Sequence, residues 1–461
     1  MATATEGSTP NRLQAPLVGV PPPPRCGLRA RLQWLWRWVT WTWSPASERE
    51  ASTAIVENLW LHWFPAKIVE ESFSWRYSLW LGAISAFLFL ILTVNGVLLM
   101  FFYVPSTQQA YWSIKDIDYV VGFGWLLRNQ HRWAAHLMVL VVFLHMLRVF
   151  FTGAYRAQRA ANWLVGLTLL LITLLLSFTG YLLPWDQLAF WAVTVGTNIA
   201  QEAPFVGRGI RFVLLGGTQI GQSALVRFYV LHVVVLPAAV LVLFAYHMWR
   251  VRRDGGMAVT DPAAMPIGPA EPASPVVTKT YSLFGITPGT SLEVRAARPR
   301  SDEEAIPSSP HLLRRLILVY LAVFALTIVL SLISGAPLET PANPALTPNP
   351  AKAPWYFLWL QELVSSTTVR VGGVTISGGL IGGILVPGIL LAAAVLWPFA
   401  DRSPLHTIGR WFPRERRLQN AVMILIALGI LGLVLIGMLG RGPYWQLYWP
   451  WQAWPVLPRR L

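Results

Sequence analysis

Four histidines carry the chemistry open to this sequence. His131 and His145 lie 14 residues apart in one apolar stretch, Trp125–Thr152, and His232 and His247 lie 15 apart in another, Ala224–Arg252. At ~1.5 Å of rise per residue these steps separate two levels by about 21–22 Å. At ~100° of rotation per residue they return the second imidazole to within about 40–60° of the first. Two such helices set face to face oppose His131 to His232 at one level and His145 to His247 at the other. Paired neutral imidazoles on the two sides of a flat macrocycle are the ligand set of a six-coordinate haem iron, and burial in lipid favours an uncharged ligand. A polar residue satisfied inside a bundle explains any one histidine but not four in two matched levels. His136, nine residues before His145 and about 180° away from it around the helix, falls off this stripe and reads as a packing or hydrogen-bonding residue. His62, His311 and His406 lie outside the apolar spans and are poor buried ligands.

The same spacing recurs in glycine. Gly82 and Gly96 are 14 apart in the first apolar run, and Gly166 and Gly180 are 14 apart in the third. Glycine weakens a helix unless something flat or bulky comes close, although it is also common at ordinary transmembrane contacts. Two pairs at the histidine spacing predict that backbone is laid against both porphyrin faces at two levels. Arg128, Arg148 and Arg227 stand beside the histidines near helix ends, where they could pair with haem propionates or simply snorkel to the interface.

The elements that must hold these residues are long apolar helices. Of 461 residues, 55% are hydrophobic and 12% charged, which excludes an ordinary soluble protein. Runs near residues 78–104, 133–152, 163–183, 228–249, 313–334, 376–398 and 420–440 are each long enough to cross a hydrocarbon core of ~30 Å. The expected fold is an all-α integral membrane protein of seven spans: a four-helix di-haem bundle followed by a three-helix C-terminal part. A net charge of +15 invites nucleic acid as a partner, but most of the basic residues sit in the N-terminal segment and the loops after spans two, four and six. That placement sets membrane topology instead, with the N-terminus cytoplasmic and the C-terminus outside. No cleavable signal peptide is visible in the polar, proline-rich start, so the first span is expected to direct insertion. Cys26 is the only cysteine, which excludes an internal disulfide, a CxxCH haem attachment and a cysteine-ligated iron–sulfur cluster in this chain.

Five regions follow. Residues 1–76 form a cytoplasmic tail, with a disordered PPPP-containing start and a tryptophan- and arginine-rich segment, Arg25–Trp43, read as an interfacial amphipathic helix or a docking helix. Residues 77–250 form the four-span part, 251–310 a cytoplasmic linker, 311–440 the three-span part and 441–461 an aromatic interfacial tail. After span three, Pro184 should end the helix before short amphipathic surface helices. Asp186 then stands where a helix cap is favoured. Proline restricts the backbone up to Trp355, where a stripe of Trp355, Leu358, Trp359 and Glu362 begins. Glu362, a carboxylate in an aromatic segment at the membrane edge, is a proton-transfer candidate.

GWLLRNQHRW with LHMLR, GYLLPWDQLAFWAVTV, VRFYVLHVVVLP with AYHMWR, APWYFLWLQELV and VPGILLAAAVLWPFADRSP together resemble cytochrome b of the cytochrome bc complexes, over roughly Trp75–Gly440. The 15-residue histidine step resembles the chloroplast-type branch, in which the two parts are often separate chains; here they are fused. The resemblance implies a bacterial cytoplasmic-membrane subunit binding two non-covalent b-type haems, at His131 with His232 (outer) and at His145 with His247 (inner). It also implies a quinol substrate, a Rieske iron–sulfur partner, a c-type cytochrome subunit, a homodimeric complex and no nucleic acid. In that family one electron of the quinol goes to the Rieske protein, and the other crosses through both haems to a quinone at the cytoplasmic face, contributing to proton translocation.

Two departures matter. The family's PEWY motif carries a carboxylate; here Ala353, Pro354, Trp355 and Tyr356 stand in its place. Asp186, Tyr356 and Glu362 remain as nearby acceptors in no fixed order, and the missing glutamate resembles versions that use menaquinol. Trp80 occupies the position where the chloroplast-type protein attaches an extra haem to cysteine, so no covalent c-type haem is expected. Two other readings are a di-haem membrane anchor of a quinone-linked dehydrogenase or reductase, which has no need of GYLLPWDQLAFW, APWY or the last three spans, and a transporter, for which the sequence lacks a symmetric repeat.

Overall fold

The computed structural model describes residues 27–32, 67–69, 74–254, 256–257, 305–449 and 451–453. The polyproline start, most of the Arg25–Trp43 segment, His62, Cys26 and most of the 251–310 linker lie outside the described residues. The chain divides into a smaller unit, residues 1–74 with 295–318, and a larger one, residues 75–294 with 319–461. In the smaller unit the described strands β1 (Lys67–Val69) and β2 (Ala305–Pro307) pair antiparallel, Ile68 opposite Ile306.

Among the described residues the fold is helical apart from this ribbon and a second one, β3 (Val369–Val371) with β4 (Val374–Ile376). Seven of the described helices are long and apolar enough to cross a membrane. They are α1 (Leu81–Met100), α3 (Gly124–Phe151), α4 (Ala157–Tyr181), α7 (Gln222–Arg252), α8 (His311–Ile333), α10 (Gly379–Ala400) and α11 (Arg414–Gly440). Four shorter helices lie between them: α2 (Ala110–Tyr119), α5 (Gln187–Gln201), α6 (Gly207–Leu215) and α9 (Trp355–Ser366). Pro184 halts α4 at Tyr181, and Asp186 caps α5 by accepting from the Ala189 amide at 2.8 Å.

Spans α3 and α7 start earlier than their apolar runs, at Gly124 and Gln222. Hydropathy cuts off Arg128, Asn129 and Gln130, but all three are buried inside the helix because partners meet them. Gln130 accepts from Asn95 of α1 and donates to Thr327 Oγ1 of α8, both at 3.0 Å. Asn129 donates to the Ser331 carbonyl at 3.2 Å and accepts from the Ala336 amide at 2.7 Å. Without water in a bilayer, an unpaired amide costs several kcal/mol, so this seam fixes the end of α8 on α1 and α3. Apolar packing of Leu88, Ile91, Ala134, Met138 and Val323 continues the same contact.

At the opposite end of the bundle, near His145, charge does the joining. Asp401, after α10, accepts from Tyr155 at 2.5 Å and lies 3.4 Å from Arg416 Nη2. Arg416 also donates to the carbonyls of Phe150 and Phe151 and to the Tyr155 hydroxyl. Arg156 donates to the Ser403 carbonyl at 2.7 Å and to the Thr407 hydroxyl. The side chains of Arg416 and Asp401 have no solvent exposure. Removing one partner of a buried pair leaves the other charge uncompensated, which costs about 3–5 kcal/mol. Arg416→Met is therefore expected to lower the thermal stability of the detergent-solubilised protein sharply, measured as the loss of helical circular dichroism on heating, while a substitution at exposed Leu418 leaves it near wild type.

Candidate functional site

Helices α3 and α7 bring the four histidines together in the predicted pairs. His131 and His232 face one another with ring centroids 6.2 Å apart and planes at 71°. At the other level, His145 and His247 form the second pair, close enough to influence each other electrostatically. All four rings are only half-buried, although they face the bundle interior.

The unequal spacings on the two helices are reconciled by backbone. Leu231–Val235 forms a π-helical turn just ahead of Pro237, which lacks the amide hydrogen that a continuous α-helix would use. A π turn takes up about one extra residue, so 15 residues on α7 span the same levels as 14 on α3. The bulge thus includes His232 itself.

Each of the four glycines abuts one imidazole. A Cβ on Gly82 would lie 3.3 Å from His145 Cε1, and one on Gly96 would lie 3.3 Å from His131 Cε1. On Gly166 it would stand 3.7 Å from His247 Cε1, and on Gly180 only 2.5 Å from His232 Cε1. The glycines of α1 serve the histidines of α3, and those of α4 serve the histidines of α7. The space the sequence assigns to porphyrin faces is thus bordered by the imidazoles themselves. Carbonyls of Leu92, Asn162 and Leu176, each four residues before a facing glycine, interact with His131, His247 and His232. The geometry is too poor for a full hydrogen bond at His131 and His247, whose Nδ1 atoms are buried without one. His232 Nδ1 lies 3.2 Å from the Thr179 hydroxyl.

Two facing imidazoles 6.2 Å apart leave room between them for one metal ion with two opposed bonds of about 2 Å to nitrogen. The residues therefore fit a bis-histidine iron site at the His131 level. Of the expected propionate partners, Arg148 fits best. It is 6% exposed, so it does not snorkel, and its Nη2 is buried without a hydrogen bond while the guanidinium covers the Tyr77 ring at 4.6 Å. Arg128 is committed elsewhere, 2.5 Å from Asp118 and bonded to the Ala336 and Pro337 carbonyls. Arg227 donates to the Val213 carbonyl at 2.8 Å and holds the turn at Gly216.

A second constellation lies at the His131 end, where α9 meets α3. Trp355 Nε1 donates to His136 Nδ1 at 2.9 Å, and the His136 ring lies 5.6 Å from that of Tyr356 and 5.7 Å from that of Trp133. Tyr181, Arg132, Asp186 and Glu339 share the same electrostatic neighbourhood with Tyr356. Sequence reasoning gave His136 a hydrogen-bonding role without a partner; its signal was only its position off the stripe. Glu362 is buried, and burial alone would raise its carboxyl, but hydrogen bonds from Arg441 and Ser366 hold it below the usual carboxylate range. Arg441 Nε meets its two oxygens at 3.2 and 3.0 Å. Asp186 is pushed up by burial, against the Ala189 and Glu339 amides that hydrogen-bond it. Burial also pushes the Tyr356 phenol up, away from any role as a resting base.

Residues 67–255 match the family model described as cytochrome b/b6/petB, and residues 341–450 match the one described as cytochrome b (C-terminal)/b6/petD. Cytochrome b6 of Heliomicrobium gestii is 40% identical over 182 residues, covering 40% of this chain and 84% of that protein. Cytochrome b6 of Acaryochloris marina is 41% identical over 175 residues, covering 38% and 81%. A solved structure titled hyperthermophilic respiratory Complex III is similar with a TM-score of 0.61 and 25% identity, covering 79% of this chain and 84% of that one.

The glycine contacts yield a graded prediction. Gly180→Ala, with its methyl 2.5 Å from an imidazole carbon, should cost the site its pigment, whereas Gly166→Ala, at 3.7 Å, should be tolerated. Gly82→Ala and Gly96→Ala should fall between. Overpacking of this kind costs ~1–3 kcal/mol. Haem content per chain, assayed after denaturation in alkaline pyridine, ranks the four variants.

Proposed function

We propose, from the premise that this chain belongs to the cytochrome b/b6 family with that family's N-terminal and C-terminal parts in one polypeptide, that it oxidises quinol at the His131 end of its bundle. As a cytochrome b6-like subunit of a cytochrome bc complex, it is an integral membrane protein and works within a multi-subunit quinol oxidoreductase. The observation that carries the finer reading is the four-histidine arrangement, two pairs at two levels, each imidazole against its own glycine. His131 with His232 and His145 with His247 would hold two b-type haems, and Arg148 would pair with a propionate of the inner one. Bound there, haem supplies a reversible one-electron iron couple. Of the quinol's two electrons, one leaves to a Rieske iron–sulfur partner and then a c-type cytochrome subunit. The other crosses to a quinone site at the cytoplasmic face. The His131 end faces outward, the N-terminus lies in the cytoplasm of a bacterial inner membrane, and the complex is a homodimer. Absence of a PEWY-type carboxylate favours menaquinol. The Gly180–Trp191 stretch at the junction of α4 and α5, the APWY stretch and the whole three-span part favour this reading over a di-haem dehydrogenase anchor.

A reduced-minus-oxidised visible spectrum of the purified protein is expected to show two b-type components. His247→Leu should abolish one and leave the other; retention of both would overturn the ligand assignment.

Proton release from the quinol needs an acceptor within hydrogen-bond reach or one water away. Glu362 already neutralises Arg441, so its charge is used structurally. Asp186, raised by burial, is the better acceptor, and only its ionised form can take a proton. Quinol oxidation should therefore rise with pH through a value above the ordinary carboxylate range and fall off below it. Asp186→Asn is expected to slow turnover by roughly 10²-fold or more and erase that acidic limb. Glu362→Gln should act mainly on stability by leaving Arg441 unpaired. A pH–rate profile for each variant decides, and a slow Glu362→Gln beside a normal Asp186→Asn would reverse the assignment.

A further inference from the structure

Tryptophan's indole nitrogen only donates. Because Trp355 Nε1 points at His136 Nδ1 from 2.9 Å, that nitrogen must present its lone pair, and the single proton of the neutral ring must sit on Nε2. The tautomer, usually a matter of assignment, is here dictated by the partner.

Among the described residues, none is bonded to His136 Nε2, and Nε2 is not one of the atoms sealed from space. The same holds for the hydroxyls of Tyr356 and Tyr181. These three polar groups come from α3, α9 and the end of α4. His136 and Tyr356 are in ring contact, and Tyr356 and Tyr181 lie within electrostatic range of each other. Around His136 stand the flat faces of Trp133, Trp355 and Tyr356. Of the carboxylates nearby, Glu362 is paired with Arg441, Asp186 accepts from two backbone amides, and Glu339 is exposed. A flat ring bearing oxygens at its edge matches this arrangement, with aromatic surface for its faces and N–H or O–H groups for its oxygens. Five residues separate His136 from His131 on α3, or about 7–8 Å along the helix, so the donor lies close to the outer histidine pair.

We propose that His136 is a substrate-positioning residue that donates a hydrogen bond from Nε2–H to an oxygen of the bound quinol, and that Trp355 makes it a donor by fixing its tautomer. The inference rests on the quinol reading above and assigns to this site a contact made without a carboxylate. It also gives the indole of the APWY stretch a chemical role beyond packing.

Side-chain geometry supplies the test. Glutamine places an amide N–H near the position of Nε2, whereas asparagine places its carbonyl near that of Nδ1. If the donor matters, His136→Leu and His136→Asn raise KM about 3–10-fold, the range of one neutral hydrogen bond, and His136→Gln recovers most of that loss. The substrate is reduced 2,3-dimethyl-1,4-naphthoquinone, the acceptor a soluble c-type cytochrome, and the enzyme the intact purified complex with its b-haem spectrum recorded beside each assay. Recovery by asparagine but not glutamine would mean that His136 merely anchors Trp355, and the proposal would fall. Wild-type KM in all three variants would also overturn it. Where the His136 variants do not assemble, Trp355→Phe decides: it keeps the ring, frees the tautomer and should raise KM about two- to three-fold, and an unchanged KM refutes the proposal. A wild-type complex that has both haems but does not oxidise the quinol would instead overturn the functional reading itself, and this inference with it.

Discussion

Close approach of imidazole to glycine backbone is the constraint on which the rest of this structure depends. Four rings must sit inside a bundle of apolar helices, and each needs space that any side chain on the facing helix would fill. Glycine provides the space at a conformational cost to its own helix, which long apolar neighbours offset by packing. Helix α1 is thereby tied to α3 and α4 to α7. The π turn before Pro237 follows from the same demand, since without it the 15-residue step would rotate the second histidine of α7 away from its partner on α3.

Around this frame, polar groups are used to lock helices rather than to face lipid. The Asn95–Gln130–Thr327 seam and the Asn129 bonds at one end, and the Asp401–Arg416–Tyr155 cluster at the other, join the four-span and three-span parts at both surfaces. The logic is the same at both ends: a polar atom deprived of water is costly without a partner, so each bond made specifies which segment lies next to it. The second part is therefore placed by named bonds and not by apolar contact alone.

The His131 end shows how charge and neutral polarity divide their work. Glu362 and Arg441 cancel each other, Arg128 is paired with Asp118, and Asp186 is held in place by the amides of Ala189 and Glu339. Beside these charged groups stand neutral donors and acceptors, His136, Tyr356 and Tyr181.

The sequence by itself determined the spans, the histidine pairs and the glycine pairs, because helical periodicity over 14 residues is a local property and burial in lipid leaves a strong compositional trace. It also set the helix stops at Pro184 and the cap at Asp186, both governed by the nearest few residues. Tertiary structure decided what local pattern cannot hold. Arg128 and Arg227, plausible as propionate partners by position, are bonded to Asp118 and to the Val213 carbonyl, while Arg148 keeps a buried donor without a hydrogen bond. Glu362, a proton-transfer candidate by sequence, is bonded by Arg441, 79 residues later. His136 acquired its meaning from Trp355, 219 residues away. These partners come from segments distant in the chain, and hydrogen-bond geometry between such segments exists only once the bundle has closed.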